Sequence, residues 1–145
     1  MAVKLIPNGF HTLTPYLTVE GAPKLLDFLS NAFDATSIRR AVLPDGTIMN
    51  VEVKIGDSIV MISEARGEYR PNKSAIYLYV QNADATYKRA IEAGASSLSE
   101  PSDEFWGDRV AGVKDLSGND WWIATHIEDV AAEEIQRRVD AFANN

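Results

Sequence analysis

Three side chains of this sequence are typical of acid–base catalysis or metal binding. His126 and Glu52 lie within predicted strands, and His11 precedes the first strand. An imidazole or carboxylate in a cleft can transfer protons, and two histidines with one glutamate form an iron-binding triad where the fold brings them together. Each residue also has a simpler interpretation. His126 would then cap the following helix or face solvent, and Glu52 would pair with a neighbouring Lys or Arg.

The sequence excludes several other kinds of chemistry. It contains no cysteine, which excludes a disulfide scaffold, a thiolate zinc site, an iron–sulfur cluster and a cysteine nucleophile. It also carries no Ser-His-Asp motif, phosphate-binding glycine loop or dinucleotide fingerprint. The glycines at 107–112 lack the helix that such a loop requires.

The composition is that of one acidic domain. The 145 residues include 14 Lys and Arg against 21 Asp and Glu, which gives a net charge of −7. This excess of acid argues against a nucleic-acid partner or an anionic membrane surface. The uncharged run at 75–80 is far shorter than the ~20 residues that span a bilayer, and the N-terminus lacks the apolar stretch of a signal peptide. We therefore expect a cytoplasmic protein.

Hydrophobic periodicity predicts two series of elements separated by a polar stretch. Pro15 lacks a backbone donor and indicates that the first strand lies at a sheet edge. Alternation in the strand 47–55 places Met49 on the apolar face and Glu52 on the opposite face. The predicted elements are strand 12–19, helix 21–33, strands 36–43, 47–55 and 58–63, loop 64–74, strand 75–80, helix 82–94, strand 96–98, loop 99–106, strands 107–114 and 120–126, and helix 128–142.

The two series form an internal repeat, in which residues such as Leu17 and Leu78 match at a constant offset. Each half is a strand followed by a helix and three strands, which predicts an α+β fold. A single domain 1–145 would then contain modules at about 12–63 and 75–126, joined by the polar linker and followed by the last helix. Because one helix covers only one face of a sheet, the two uncovered faces can be set opposite each other around a cleft.

A series of short segments carries a family resemblance: 11–19, 22–33, 44–46, 55–58, 105–109, 115–118 and 124–129. In these segments the sequence resembles the vicinal oxygen chelate superfamily, which includes glyoxalase I, the bleomycin resistance proteins and the extradiol dioxygenases. Within this superfamily it resembles the PhnB-like branch. The resemblance implies paired βαβββ modules with a cleft in each half-barrel, in a homodimer. It does not specify a reaction, because this fold hosts both enzymes and drug-binding proteins.

The resemblance also implies four positions for metal ligands, one on each of four strands. By motif these positions fall on Thr14, Met61, Ala75 and Trp122. Ala and Trp side chains do not ligate metals, and Met and Thr are poor ligands for hard divalent ions. We therefore expect a protein that uses no metal or other cofactor.

Strand alternation predicts which side chains line the cleft. Beside it, Trp106 would form a lid or a dimer contact, and Arg109 would bind an anionic group of the ligand or pair with Asp103, Glu104 or Asp108. The predicted ligand-binding residues are Tyr16, Asn50, Glu52, Tyr77, Tyr79, Trp106, Arg109, Trp122 and His126. Aromatic walls with few polar groups suit a planar or amphipathic organic molecule.

Three hypotheses of function follow from the sequence. The first is a metal-free, dimeric protein that binds a small organic molecule, a drug or a metabolite, and its acidity would attract a cationic one. The second is a lyase, isomerase or dioxygenase that uses a rebuilt metal site around His126, Glu52 and His11, or metal-free acid–base chemistry. The third is a scaffold or partner-binding module with a vestigial cleft, which Tyr77, Tyr79 and Trp122 would fill.

Overall fold

The computed structural model describes residues 2–144. Its elements follow the predicted order, with two strand–helix–three-strand series and a final helix. They are β1 (Tyr16–Val19), α1 (Ala22–Phe33), β2 (Thr36–Val42), β3 (Ile48–Ile55), β4 (Ser58–Glu64), β5 (Ala75–Tyr79), α2 (Ala83–Glu92), β6 (Ser96–Asp103), β7 (Asp108–Lys114), β8 (Asp120–His126) and α3 (Ala132–Ala143). No helix within residues 2–144 is long and apolar enough to cross a membrane.

The strands form two four-stranded sheets with the same topology. Sheet 1 has the order β1-β4-β3-β2, and sheet 2 has the order β5-β8-β7-β6. Strands β1 and β4 are parallel, as are β5 and β8, and the other neighbours are antiparallel. This arrangement confirms the predicted α+β fold, and β1 lies at a sheet edge, as Pro15 indicates.

The last strand of each module caps the helix of that module. In sheet 1 the carboxylate of Glu64 accepts hydrogen bonds from the backbone N–H groups of Gly21 and Ala22, at 3.0 and 2.9 Å. In sheet 2 the hydroxyl of Thr125 accepts one from the N–H of Ala83 at 2.8 Å. Both contacts satisfy helix N-terminal donors that have no partner within the helix. They fix each helix against its own sheet.

The helix-covered faces of the two sheets share one hydrophobic core. Leu17, Val51 and Ile62 of sheet 1 are fully buried in it, and α1 packs against α2. The rings of Phe33 and Trp121 meet across this contact with centroids 5.1 Å apart. We call the other face of each sheet its open face. In the single chain the two open faces do not enclose one cleft, because the helices bring the covered faces together.

Three predicted elements differ in extent by more than two residues. Strand β1 begins at Tyr16 rather than at residue 12. Strand β6 continues to Asp103, through most of the predicted loop 99–106, and its pairing with β7 is interrupted by two register shifts. A proline within this strand is tolerated because β6 is an edge strand. Helix α3 covers Ala132–Ala143 rather than 128–142.

The predicted burial of Met49 is wrong. Strand β2 pairs Ala41 with Asn50 and the next residue, Val42, with Ile48, so that Met49 is an extra residue in β3. Such a bulge reverses the alternation of the strand beyond it. As a result Ile48 is buried and Met49 is exposed.

Candidate functional site

A buried carboxylate organises the polar end of the open face of sheet 2. Asp108 is 2% exposed. Its Oδ2 accepts hydrogen bonds from the hydroxyls of Tyr77 and Tyr79, at 2.7 and 2.9 Å. Its Oδ1 lies 2.8 Å from Nδ1 of His126, and Nε2 of His126 lies 2.6 Å from Oδ1 of Asp129. We call these five residues the Asp108 cluster.

The strand register places the cluster. Tyr77 and Tyr79 are two residues apart in β5 and so point to the same face, with ring centroids 5.3 Å apart. Asp108 and His126 are direct partners in the antiparallel pair β7–β8. The sequence therefore folds so that two phenols and one imidazole converge on one carboxylate.

The charged forms of Asp108 and His126 are favoured within the Asp108 cluster. Burial alone would raise the pKa of Asp108, but hydrogen bonds from Tyr77, His126 and Tyr79 outweigh it, and the pKa is lowered. Hydrogen bonds to Asp108 and Asp129 raise the pKa of His126. The protonated ring donates to both carboxylates. His126 is thus better suited to donate a proton or to hold structure than to accept a proton as a base.

The two phenols stay protonated. Burial and the bond to Asp108 raise the pKa of Tyr77 to about 12, although the bond from Trp106 acts in the opposite direction. The bond to Asp108 also raises the pKa of Tyr79. Both tyrosines therefore act as hydrogen-bond donors and as aromatic walls.

A cavity of about 340 Å³ opens beside the cluster. Its walls are the rings of Tyr77, Trp106 and Trp122, and Nε1 of Trp106 donates a hydrogen bond to the Tyr77 hydroxyl at 3.0 Å. Trp122 lies over Gly112, where an added Cβ would be 2.4 Å from its ring. The remaining lining residues are Ser99, Glu104 and Val110. Glycine at 112 is what leaves room for the indole.

A larger groove of about 850 Å³ lies along the free edge of β5. The N-terminal segment at 11–15, the turn between β3 and β4, and the adjoining ends of α1 and α2 complete its walls. His11 lines this groove, as do Tyr77 and Tyr79 of the Asp108 cluster. The groove thus joins the edge regions of the two sheets.

The predicted ligand-binding residues divide between the two sheets. Tyr16, Asn50 and Glu52 belong to sheet 1 and do not meet the aromatic cavity. Glu52 is buried, and its carboxylate receives bonds of 2.8 and 3.3 Å from the guanidinium of Arg39. The simpler interpretation of Glu52, a pair with a neighbouring Arg, therefore describes its contacts. The hydroxyl of Tyr16 accepts a bond from Ser63 at 3.2 Å.

Arg109 does not line the cavity, contrary to our prediction. It precedes Val110, a lining residue, and so points to the helix-covered face. There its guanidinium binds Asp84 of α2 at 2.7 Å and Asp103 at 3.0 Å. These ion pairs join β7 to α2 and β6.

The residues at the positions of the family's metal ligands do not fit a metal ion. Thr14 precedes β1, Met61 lies in sheet 1, and Ala75 and Trp122 lie in sheet 2; two of these four side chains have no donor atom for a divalent cation. The alternative set is not assembled either. Within residues 2–144 no three His, Asp or Glu side chains form a metal-binding group, and His126, Glu52 and His11 lie apart.

Sequence reasoning missed two residues that define the site. From the sequence, Asp108 is only a possible partner of Arg109, and Gly112 is only part of a glycine run. The antiparallel register that pairs β7 with β8 would have identified both, because it sets Asp108 opposite His126 and Gly112 opposite Trp122. The predicted strands already end at 114 and begin at 120, and pairing these two residues across the turn gives this register.

Comparison with known proteins identifies a family and its fold. Residues 9–123 match the model of the Glyoxalase/Bleomycin resistance protein/Dioxygenase superfamily. An uncharacterized protein of Mycobacterium bovis is 31% identical over 147 residues, with 94% of each chain covered. A counterpart in Mycobacterium tuberculosis is also 31% identical, covering 94% of this chain and 84% of its own.

Solved structures share the architecture at lower identity. TioX from Micromonospora sp. ML1 has a TM-score of 0.69 at 24% identity, covering 81% of this chain and 99% of its own. TnmS3, an antibiotic binding protein from Streptomyces sp. CB03234, has a TM-score of 0.63 at 19% identity, covering 87% and 98%. At these identities the likeness establishes the fold.

Proposed function

Because the chain belongs to the glyoxalase/bleomycin resistance protein/dioxygenase superfamily, we propose that it binds a small organic molecule, a drug or a metabolite, on the open face of sheet 2. The observation that carries the proposal is the cavity between Tyr77, Trp106 and Trp122. Concave sites with aromatic walls and few polar groups are typical of small-molecule binding. The description of TnmS3 as an antibiotic binding protein is consistent with such a role on this fold.

The chemistry of the Asp108 cluster supports binding more than turnover. Each of its polar side chains already has a partner within 3.0 Å, and the pKa shifts keep the phenols neutral and favour the charged forms of Asp108 and His126. Groups held in this way fix the aromatic walls. They are poorly placed to accept a proton during a reaction, and among them the protonated His126 is the one group that could donate one.

The proposal also includes a homodimer of the PhnB-like branch, acting as a single domain in the cytoplasm. Strands β1 and β5 each lie at a sheet edge, and the groove beside β5 offers a surface for a second copy. An edge strand without a neighbour is a template for strand pairing. Analytical ultracentrifugation tests this part, and a monomer at every concentration would contradict it.

A titration with naphthalene-2-methanol, a neutral planar probe, tests the binding site. We expect saturable 1:1 binding by calorimetry with a change in tryptophan emission. Trp122→Ala should weaken binding about tenfold or more, because a stacked ring is lost. The matched control is Tyr16→Ala, which removes an aromatic ring from the open face of sheet 1, at the position equivalent to Tyr77 in sheet 2. Absence of saturable binding, or equal losses in both variants, would overturn the proposal.

A second candidate function is metal-free acid catalysis by His126. It is favoured by one observation, the hydrogen bond between His126 and buried Asp108 next to the cavity. A lyase or isomerase of this kind would lose turnover in His126→Ala while still binding its substrate. A screen of lyase and isomerase substrates with the wild type and this variant distinguishes it from a binding protein.

A further inference from the structure

The aromatic cavity of sheet 2 has one charged lining residue, and it is an acid. Of its six lining residues, three are aromatic, Val110 and Ser99 are neutral, and Glu104 is the sixth. Glu104 accepts a hydrogen bond from the hydroxyl of Ser102 at 2.9 Å. Within residues 2–144 it forms no ion pair with a basic side chain.

The basic side chains of the surrounding elements are held by other carboxylates. Arg109 is directed to the opposite face, where it pairs with two acids. Arg138 of α3 binds Glu128 and Glu134. His126 lies between Asp108 and Asp129. The charge of Glu104 is therefore left for a ligand.

The aromatic walls are fixed before any ligand arrives. The Tyr77 hydroxyl donates to Asp108 and accepts from Trp106, so both rings are held in one orientation. The ring of Trp122 packs over Gly112. Faces of such rings attract a cation through their quadrupoles, and Trp does so most strongly. A rigid box loses little entropy when it binds.

We propose that this cavity binds an organic cation, a quaternary or substituted ammonium group, enclosed by Tyr77, Trp106 and Trp122 with Glu104 as the counter-charge. The inference rests on the proposed function and names its ligand class. A volume of about 340 Å³ accommodates such a group with an aromatic substituent. An anionic ligand would find no basic group among the lining residues.

Two probes of the same shape and different charge test the inference. Phenyltrimethylammonium and tert-butylbenzene differ by one positive charge, and both are titrated against the full chain by tryptophan emission. We expect the cation to bind about tenfold or more tightly than the neutral molecule. Equal affinities would overturn the ligand class and leave the proposed function standing. Failure of both probes, together with naphthalene-2-methanol, would overturn the two proposals together.

Substitution of the counter-charge sharpens the test. In Glu104→Gln the ratio of the two affinities should fall several-fold, because the amide keeps the shape of the side chain and removes its charge. The matched control is Glu100→Gln, an exposed acid of β6, the strand that ends just before Glu104, and it does not line the cavity. If both variants lower the ratio equally, the attraction comes from the net charge of the protein and the role of Glu104 is refuted.

Discussion

The two sheets place equivalent residues in equivalent register, yet their open faces differ in chemistry. One row of side chains across sheet 1 runs from β1 through β4 and β3 to β2, and comprises Tyr16, Met61, Glu52 and Arg39. Its centre is filled, because Glu52 and Arg39 form an ion pair and Met61 lies beside them. The positions of this row on β3 and β2 are thus occupied by an ion pair.

The matching row of sheet 2 is hollow. It runs from β5 through β8 and β7 to β6, and comprises Tyr77, Trp122, Gly112 and Ser99. The two positions that hold the ion pair in sheet 1 carry a glycine and a small hydroxyl residue here. The indole of Trp122 extends over the glycine and forms a cavity wall.

This difference shows how one module topology yields two surfaces. The backbone and the register are shared, so the cavity arises from the choice of side chains in a single row. The buried Asp108 adds a second distinction, because the open face of sheet 1 has no matching cluster around a shared carboxylate.

The largest effect is expected for Asp108→Asn. The carboxylate accepts three hydrogen bonds in a buried position, whereas an amide has one oxygen and presents donors to the others. We expect a loss of about 3 kcal/mol in the free energy of unfolding, measured by urea denaturation at one fixed protein concentration. Asp57→Asn, in the exposed β3–β4 turn, is the control. A loss no larger than that of the control would show that the cluster does not stabilise sheet 2.

A smaller loss is expected for Gly112→Ala. The new Cβ would lie 2.4 Å from the ring of Trp122, so the indole must move. We expect a loss of about 2 kcal/mol in stability and weaker binding of naphthalene-2-methanol. In the Trp122→Phe background the same substitution should cost less, because the smaller ring leaves space. Equal costs in both backgrounds would contradict the packing of Trp122 over Gly112.

The sequence predicted the fold better than it predicted the site. The repeat located both modules, since its offset superposes Leu17 on Leu78 in β1 and β5. Alternation puts Trp121 and Trp122 on opposite faces of β8, and in the structure Trp121 is buried while Trp122 borders the cavity. It failed at Met49, because a bulge reverses the alternation and leaves no periodic trace.

The composition of the site was harder to predict for a physical reason. Whether the open faces of the two sheets meet depends on how the modules pack. Here the modules meet through their helices, so Glu52 and Trp122 lie on different surfaces of the molecule. The burial of Asp108 depends on three partners from two other strands. Such convergence is tertiary and is not visible in the pattern of a single strand.

On sheet 1, Glu52→Gln should have a modest effect. The glutamate is buried, but its partner Arg39 is largely exposed, and water takes over the hydrogen bonds of the guanidinium. We expect a loss of about 1 kcal/mol in the free energy of unfolding and unchanged affinity for naphthalene-2-methanol. A loss comparable to that of Asp108→Asn, or weaker ligand binding, would remove the distinction between the two faces.

The smallest effect is the pH dependence that His126 gives to sheet 2. The pKa of His126 is raised above its ordinary value of 6.5 by Asp108 and Asp129. The stabilisation from the protonated ring is therefore complete below about pH 6.5 and is lost as the pH rises through the raised pKa. It is modest because the ring is half exposed.

Urea denaturation from about pH 5 to about pH 9 measures this contribution. The wild type should lose stability across the upper part of that range, and His126→Gln should lose less, because glutamine carries no charge to lose. His11→Gln is the matched control, since it removes the other histidine of the chain and leaves the cluster intact. It should keep the slope of the wild type. If His126→Gln keeps that slope as well, the imidazolium does not link Asp108 to Asp129, and the polar difference between the two open faces reduces to the phenols of Tyr77 and Tyr79.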